Sequence, residues 1–137
     1  MAFDPTRDYP LGARRPDLVR TPAGVPLADV TLEAIRQGTL GADEIRATPE
    51  TLRMQAEVAR GAGRTQLGEN LERAAELATV PDDLLLEIYT ALRPGRATAE
   101  ELEEWAVRLD GFGASKTAAF VREAALAYAE RGLLAHA

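Results

Sequence analysis

His136 is the chain's one imidazole and Ser115 its one serine, and there is no cysteine. The usual nucleophiles, general bases and soft metal ligands are therefore scarce. A serine nucleophile needs a base within hydrogen-bond reach. His136 stands one residue from the last, where chains fray, so it is expected to be neither base nor ligand. Zinc and haem sites lack ligands, and no disulfide framework can form. Carboxylates remain, as 22 Asp and Glu. Glu100, Glu101, Glu103 and Glu104 follow Thr98 as the solvated first turn of a helix would. Glu69, Glu72 and Glu76 share a helix face, as paired metal-binding carboxylates do, but no Glu-x-x-His pair accompanies them. Gly61-Ala62-Gly63-Arg64-Thr65 could offer N–H groups to an anion. It lacks the Lys-Ser/Thr of a P-loop and a preceding strand, and a helix end followed by a new helix start explains its glycines more simply. No catalytic, cofactor-binding or metal-ligating residue is assigned on these grounds.

Binding chemistry is better represented. Arg93 and Arg96 flank the Pro94-Gly95 turn, where they can hold the preceding helix's last carbonyls or a partner's carboxylate. The net charge of -6 and the scatter of the basic residues argue against nucleic acid, as does an aromatic content of 5%. There is no run of about 18 apolar residues to span a membrane. The first ten residues have no basic segment followed by an apolar one, so no signal peptide is expected. The cytoplasm is the expected location.

The elements that must position these groups are helical. Five of the eight prolines, Pro5, Pro10, Pro16, Pro22 and Pro26, fall in the first 26 residues. Each fixes its own φ and pushes the preceding residue toward extended geometry. Residues 1–28 are expected to be an extended arm, and residues 29–137 a helical domain. The arm carries Phe3, Tyr9, Leu11, Leu18 and Val19, so it is expected to lie on a surface, its own or a partner's. Thr31 opens a short helix that Gly38 can stop, and residues 42–46 can add a turn. Thr48-Pro49-Glu50 combines an N-cap, a proline at the first helical position and an acid at the positive end of the dipole. Leu67, Leu71, Ala74, Ala75 and Ala78 make a core stripe over about 65–78. A helix opened by Pro81-Asp82-Asp83 presents Leu84, Leu85, Ile88 and Leu92. Thr98 and Glu101 form a capping box ahead of Leu102, Trp105, Ala106 and Leu109. A last helix over 115–131 turns Phe120, Val121, Ala124, Ala125 and Tyr128 inward until Gly132. Nothing alternates with period two, and no repeat of fixed period is read. The expected class is all-α, with about five or six helices and an extended proline-rich N-terminal arm.

Several stretches, in this order, resemble the small (gamma) subunit of adenosylcobalamin-dependent propanediol and glycerol dehydratases. They are Asp8-Tyr9-Pro10-Leu11, then Thr48-Pro49-Glu50-Thr51-Leu52-Arg53-Met54-Gln55-Ala56, then Asn70-Leu71-Glu72-Arg73-Ala74-Ala75-Glu76-Leu77. Val80-Pro81-Asp82-Asp83 through Glu87-Ile88-Tyr89 to Ala91-Leu92-Arg93-Pro94-Gly95-Arg96 follows, then Ala119-Phe120-Val121-Arg122-Glu123-Ala124-Ala125. The region around 110–116 resembles the family less. The resemblance implies a non-catalytic subunit of a lyase that converts a 1,2-diol or glycerol to an aldehyde and water by a radical mechanism. It implies a large TIM-barrel catalytic subunit and a medium subunit as partners, in a dimer of heterotrimers. It places adenosylcobalamin in the complex and not on this chain, and carries no catalytic residue over. The cytoplasm, or a bacterial microcompartment within it, is the implied location; the N-terminal length is nearer the glycerol type.

Two other readings stand beside it: a free-standing helical adaptor that binds a protein partner, and, below both, an independent carboxylate-based enzyme. On the leading reading the arm is expected to dock mainly on the large subunit, with Tyr9, Pro10 and Leu11 at the interface and Tyr9 and Leu11 as anchors. Arg93 and Arg96 are the other candidate interface residues.

Overall fold

The computed structural model describes residues 2–136. It is all-α: among the described residues the one β feature is an isolated antiparallel bridge between Arg20 and Pro26. Two compact units divide the chain, one running to Ala78 and the other beginning at Thr79. The residues read as an arm lie inside the first unit.

The first unit opens with short turns in place of an extended strand. Asp4 Oδ1 accepts the N–H groups of Thr6 and Arg7 at 2.9 and 2.8 Å, and Asp8 N–H donates to Asp4 O. After a cis Tyr9-Pro10 bond comes one turn of helix, α1 (Leu11–Arg14), then 3₁₀ turns at Pro16–Leu18 and Leu27–Asp29. Proline dictates φ residue by residue but does not forbid turns, and short polar side chains supply the hydrogen bonds that close them. The loop over 21–24 is held by Glu44, whose Oε2 accepts from Thr21 Oγ1 at 2.5 Å and from Ala23 N–H at 3.2 Å. Helix α2 (Leu32–Arg36) is capped by Thr31, and a 3₁₀ turn follows at Ala42–Glu44.

A helical hairpin completes this unit. Thr48 accepts the Thr51 N–H and Pro49 occupies the first position of α3 (Pro49–Gly61). Gly63, at φ 75°, makes the left-handed turn that lets Arg64 N–H reach back to Ala59 O at 2.8 Å. Helix α4 (Thr65–Leu77) returns along α3. Ala56, Ala59, Gly68 and Ala75 are buried, small residues that let the two backbones approach closely.

The second unit contains α5 (Asp82–Ala91), α6 (Ala99–Gly111) and α7 (Ser115–Arg131). Among the described residues the expected five or six helices are seven, because α1 forms within the arm. In the α6–α7 hairpin the largest fully buried side chains are Leu102, Leu109 and Val121. Phe120, expected inside, is exposed, as is Leu67 of the α4 stripe: each helix buries only the stripe that meets its neighbour. Helix α7 ends at Gly132, at φ 64°, and the chain beyond it is clipped to the α5–α6 turn by Gly95 N–H to Leu133 O and Ala135 N–H to Ala97 O.

The two hairpins share one construction, which corrects the expectation of no fixed period. Their first helices, Pro49–Gly61 and Ala99–Gly111, begin and end fifty residues apart, since 99 − 49 and 111 − 61 both equal 50. Thr48 and Thr98 cap them. Gly63 and Gly113 take the same left-handed φ, and Ala114 N–H reaches Leu109 O as Arg64 N–H reaches Ala59 O. Even the ion pairs correspond: Arg60 binds Glu72 at 2.7 Å, and at the equivalent positions Arg122 binds Asp110 at 3.0 Å, with the signs exchanged.

The Thr98 cap is reciprocal, with Glu101 N–H donating to Thr98 Oγ1 and Thr98 N–H to Glu101 Oε2. Thr98→Ala is expected to cost about 1 kcal/mol of stability. A thermal melt of the variant beside Glu101→Ala checks this. Because both changes break one reciprocal pair, the double variant should lose less than the sum of the singles.

Candidate functional site

The expected interface residues fall into one group in each unit. In the first, Asp8 sets the position of the tripeptide Tyr9-Pro10-Leu11. Its Oδ1 accepts from Arg7 Nε at 2.7 Å; its Oδ2 accepts from Arg7 Nη2 at 2.8 Å, Arg15 Nη1 at 3.2 Å and the Asp4 N–H at 3.0 Å. Arg15 also grips Asp17, at 2.9 Å. The side-chain hydrogen bonds from Arg7 hold the buried Asp8 carboxyl well below the usual carboxylate range; desolvation opposes this, and the Asp4 N–H and the arginine charges reinforce it. The guanidinium groups of Arg7 and Arg15 are raised in turn, chiefly by their hydrogen bonds to Asp8 and Asp17 respectively.

A carboxyl whose folded-state pKa is depressed stabilises the fold fully above its unfolded pKa, and that contribution fades as pH falls through the folded value. The order of residues 2–28 is therefore expected to weaken as pH falls below about 4. Hydrogen exchange resolved by segment reads this directly. An Asp8→Asn variant should already exchange faster in this segment at neutral pH and should lose part of the acid dependence there.

Beyond Asp8 the three residues diverge. Tyr9 is 54% exposed and, with Pro5, Thr6, Val58, Arg64 and Leu67, lines a cavity of about 420 Å³ beside the α3–α4 hairpin. Pro10 is exposed. Leu11 is 3% exposed, so it belongs to this chain's own core and cannot be a surface anchor: the turn that α1 makes carries its side chain inward.

In the second unit, Arg93 and Arg96 are exposed around the α5–α6 turn. Holding the helix's last carbonyls was one of their expected roles, and the structure shows other donors there. Tyr128 Oη donates to Leu92 O at 2.6 Å, and the Leu92 and Arg93 N–H groups take Ile88 O and Thr90 O. Among the described residues neither arginine side chain is in an ion pair or hydrogen bond. Arg96 lines a second cavity, of about 620 Å³, with Leu86, Glu87, Glu104, Trp105 and Arg108. The Arg108 guanidinium lies 4.2 Å from the centroid of the Trp105 ring. Trp105 reads as a core residue by its helical spacing, which carries no signal of the Arg108 guanidinium lying over its ring.

The other candidates for chemistry remain dispersed. His136 and Ser115 are exposed in different parts of the second unit, and the Gly61–Thr65 loop is the α3–α4 turn. Glu72 is paired with Arg60. Among the described residues no group of three or more His, Asp or Glu side chains could hold a metal. The single imidazole, His136, sits in the exposed tail and lines neither of these two cavities.

Residues 5–135 match the dehydratase small-subunit family. The chain belongs to that family. It is 52% identical over 125 residues to the propanediol dehydratase small subunit of Citrobacter freundii, covering 90% of this chain and 73% of the relative. The protein of the same description from Salmonella typhimurium is also 52% identical, over 90% of this chain and 72% of its own length. The matched residues 5–135 take in Arg7, Asp8 and Arg15, both hairpins and both cavities. A small subunit of this family implies other subunits of the dehydratase. No helix among the described residues is long and apolar enough to cross a membrane.

Proposed function

We propose that this chain is the non-catalytic small subunit of an adenosylcobalamin-dependent dehydratase acting on 1,2-propanediol or glycerol. The carrying observation is the family match over residues 5–135, joined to 52% identity with propanediol dehydratase small subunits. The partners are a large TIM-barrel catalytic subunit and a medium subunit, with two copies of each of the three chains, in the cytoplasm or a microcompartment within it. Adenosylcobalamin supplies the radical chemistry and is held by the partners; this chain's part is to bind and support the large subunit. Its candidate contact residues are Tyr9 and Pro10 in the first unit and Arg93 and Arg96 in the second, all exposed. Nucleic acid and membrane have no part in this reading.

Affinity purification of the tagged chain, co-expressed with the large and medium subunits, tests it. Both larger chains should co-purify, and the complex should form aldehyde from the diol only when adenosylcobalamin is added. The chain purified alone should form none. Failure to bring down either larger chain would overturn the reading in favour of a free-standing adaptor, and aldehyde formation by the isolated chain would overturn its non-catalytic role.

A further inference from the structure

We infer that the outer stripe of α5 and the cavity beside it in the second unit form a docking corner for a segment of a larger dehydratase chain that presents a carboxylate next to an apolar side chain. The inference rests on the proposed function for the existence of that partner. Its grounds are the charges and apolar groups at this corner. Of the five arginines after Ala78, Arg96 and Arg108 line the cavity and Arg93 is exposed just beyond the end of α5, three residues before Arg96. Among the described residues none of the three is in an ion pair, whereas Arg7, Arg15, Arg60 and Arg122 all are. Glu104 stands four residues before Arg108, the spacing that favours a pair along a helix, yet Arg108 lies over Trp105 instead. Its guanidinium edge therefore keeps its donors for another acceptor.

The apolar half of the corner is equally open. Leu86 and Tyr89, three apart on α5, are 69% and 61% exposed, and Leu86 is also a wall of the cavity. Tryptophan, tyrosine and arginine are the side chains that most often dominate protein interfaces. Carboxylates at the cavity decide the kind of occupant. Glu87, Glu101 and Glu104 line the cavity beside Arg96 and Arg108, so the lining repels a small free anion. A protein segment whose carboxylate meets the arginine forks while its apolar neighbour covers Leu86 and Tyr89 offsets that repulsion through burial and bidentate hydrogen bonds.

Affinity of the full-length chain for the co-expressed larger subunits, measured by interferometry at two salt concentrations, tests the corner. The variants are Arg93→Glu/Arg96→Glu/Arg108→Glu and, separately, Leu86→Ala/Tyr89→Ala. All five side chains are exposed, so circular dichroism should be unchanged. Each variant should weaken binding by about tenfold or more, and the charge-reversed one should lose most of the wild type's salt dependence. Wild-type affinity in the charge-reversed variant would overturn the corner while leaving the proposed function intact. Absence of any binding by the wild-type chain would instead overturn the proposed function.

Discussion

Leu102→Ala is expected to lower the stability of the second unit by about 2–5 kcal/mol. Leu102 is 1% exposed and, among the described residues, is one of the three largest fully buried side chains. Around the α6–α7 contact the other fully buried residues include Ala106, Ala114 and Ala118. An alanine has no rotamer to turn into a void, so these three residues cannot refill the space left by the leucine. Closing it would require the helices to shift, against the pairing of Arg122 with Glu103 and Asp110 at 2.9 and 3.0 Å. The cavity term is thus expected to add nearly in full to the lost transfer energy. Trp105 lies on the same helix, so denaturant unfolding followed by its fluorescence reports on the unit concerned. Leu126→Ala, at an exposed position on α7, is the control and should change the midpoint little. A loss below about 1 kcal/mol for Leu102→Ala would mean the hairpin can collapse around small residues, contrary to the packing described.

The helices were legible because their signals are local. Thr48-Pro49-Glu50, Thr98 with Glu101, and Gly132 each place a helix end within a residue or two, and each does so through hydrogen bonds that lie close in sequence. The first 28 residues were less so. Proline spacing speaks for φ, but the segment's shape is decided by Asp4 and Asp8 as acceptors for neighbouring N–H groups and for Arg15, seven residues on from Asp8. Nothing in the spacing of carboxylates and arginines says which pairs will close, and that hid the inward turn of Leu11. The fifty-residue correspondence was present as Thr, Glu, Leu, Ala, Gly and Gly recurring at positions 48, 50, 52, 56, 61 and 63 and again at 98, 100, 102, 106, 111 and 113. Most residues between them differ, and it emerges only when the helix ends are aligned. For the candidate site, Tyr9, Arg93 and Arg96 were visible as residue types. The role of Trp105 was not, because helical spacing marks a core face and is silent on how an arginine three residues away will lie across an indole ring.

The correspondence between hairpins also makes Gly68→Leu informative, with an expected loss of about 1–3 kcal/mol in the first unit. Gly68 is buried on α4, and its equivalent in the second hairpin, fifty residues on, is the fully buried Ala118. A Cβ at position 68 would stand 2.8 Å from Arg60 Cγ and 3.1 Å from the Ala56 carbonyl oxygen. The arginine can swing aside only by giving up Glu72, which it holds at 2.7 Å, and the carbonyl is fixed within α3. Alanine at this position sets a helix-propensity gain of about 1 kcal/mol against that crowding, so its net effect is expected to be small. Leucine brings three further carbons into the same space and must push α3 and α4 apart. Ala118→Gly, the reverse change in the other hairpin, removes a methyl group without crowding and should cost about 1 kcal/mol through propensity, plus a small cavity term. Thermal and denaturant unfolding of the three variants, with hydrogen exchange to assign each loss to its unit, checks the set. Wild-type stability in Gly68→Leu would show that α3 and α4 do not approach as closely as the Gly68 geometry requires.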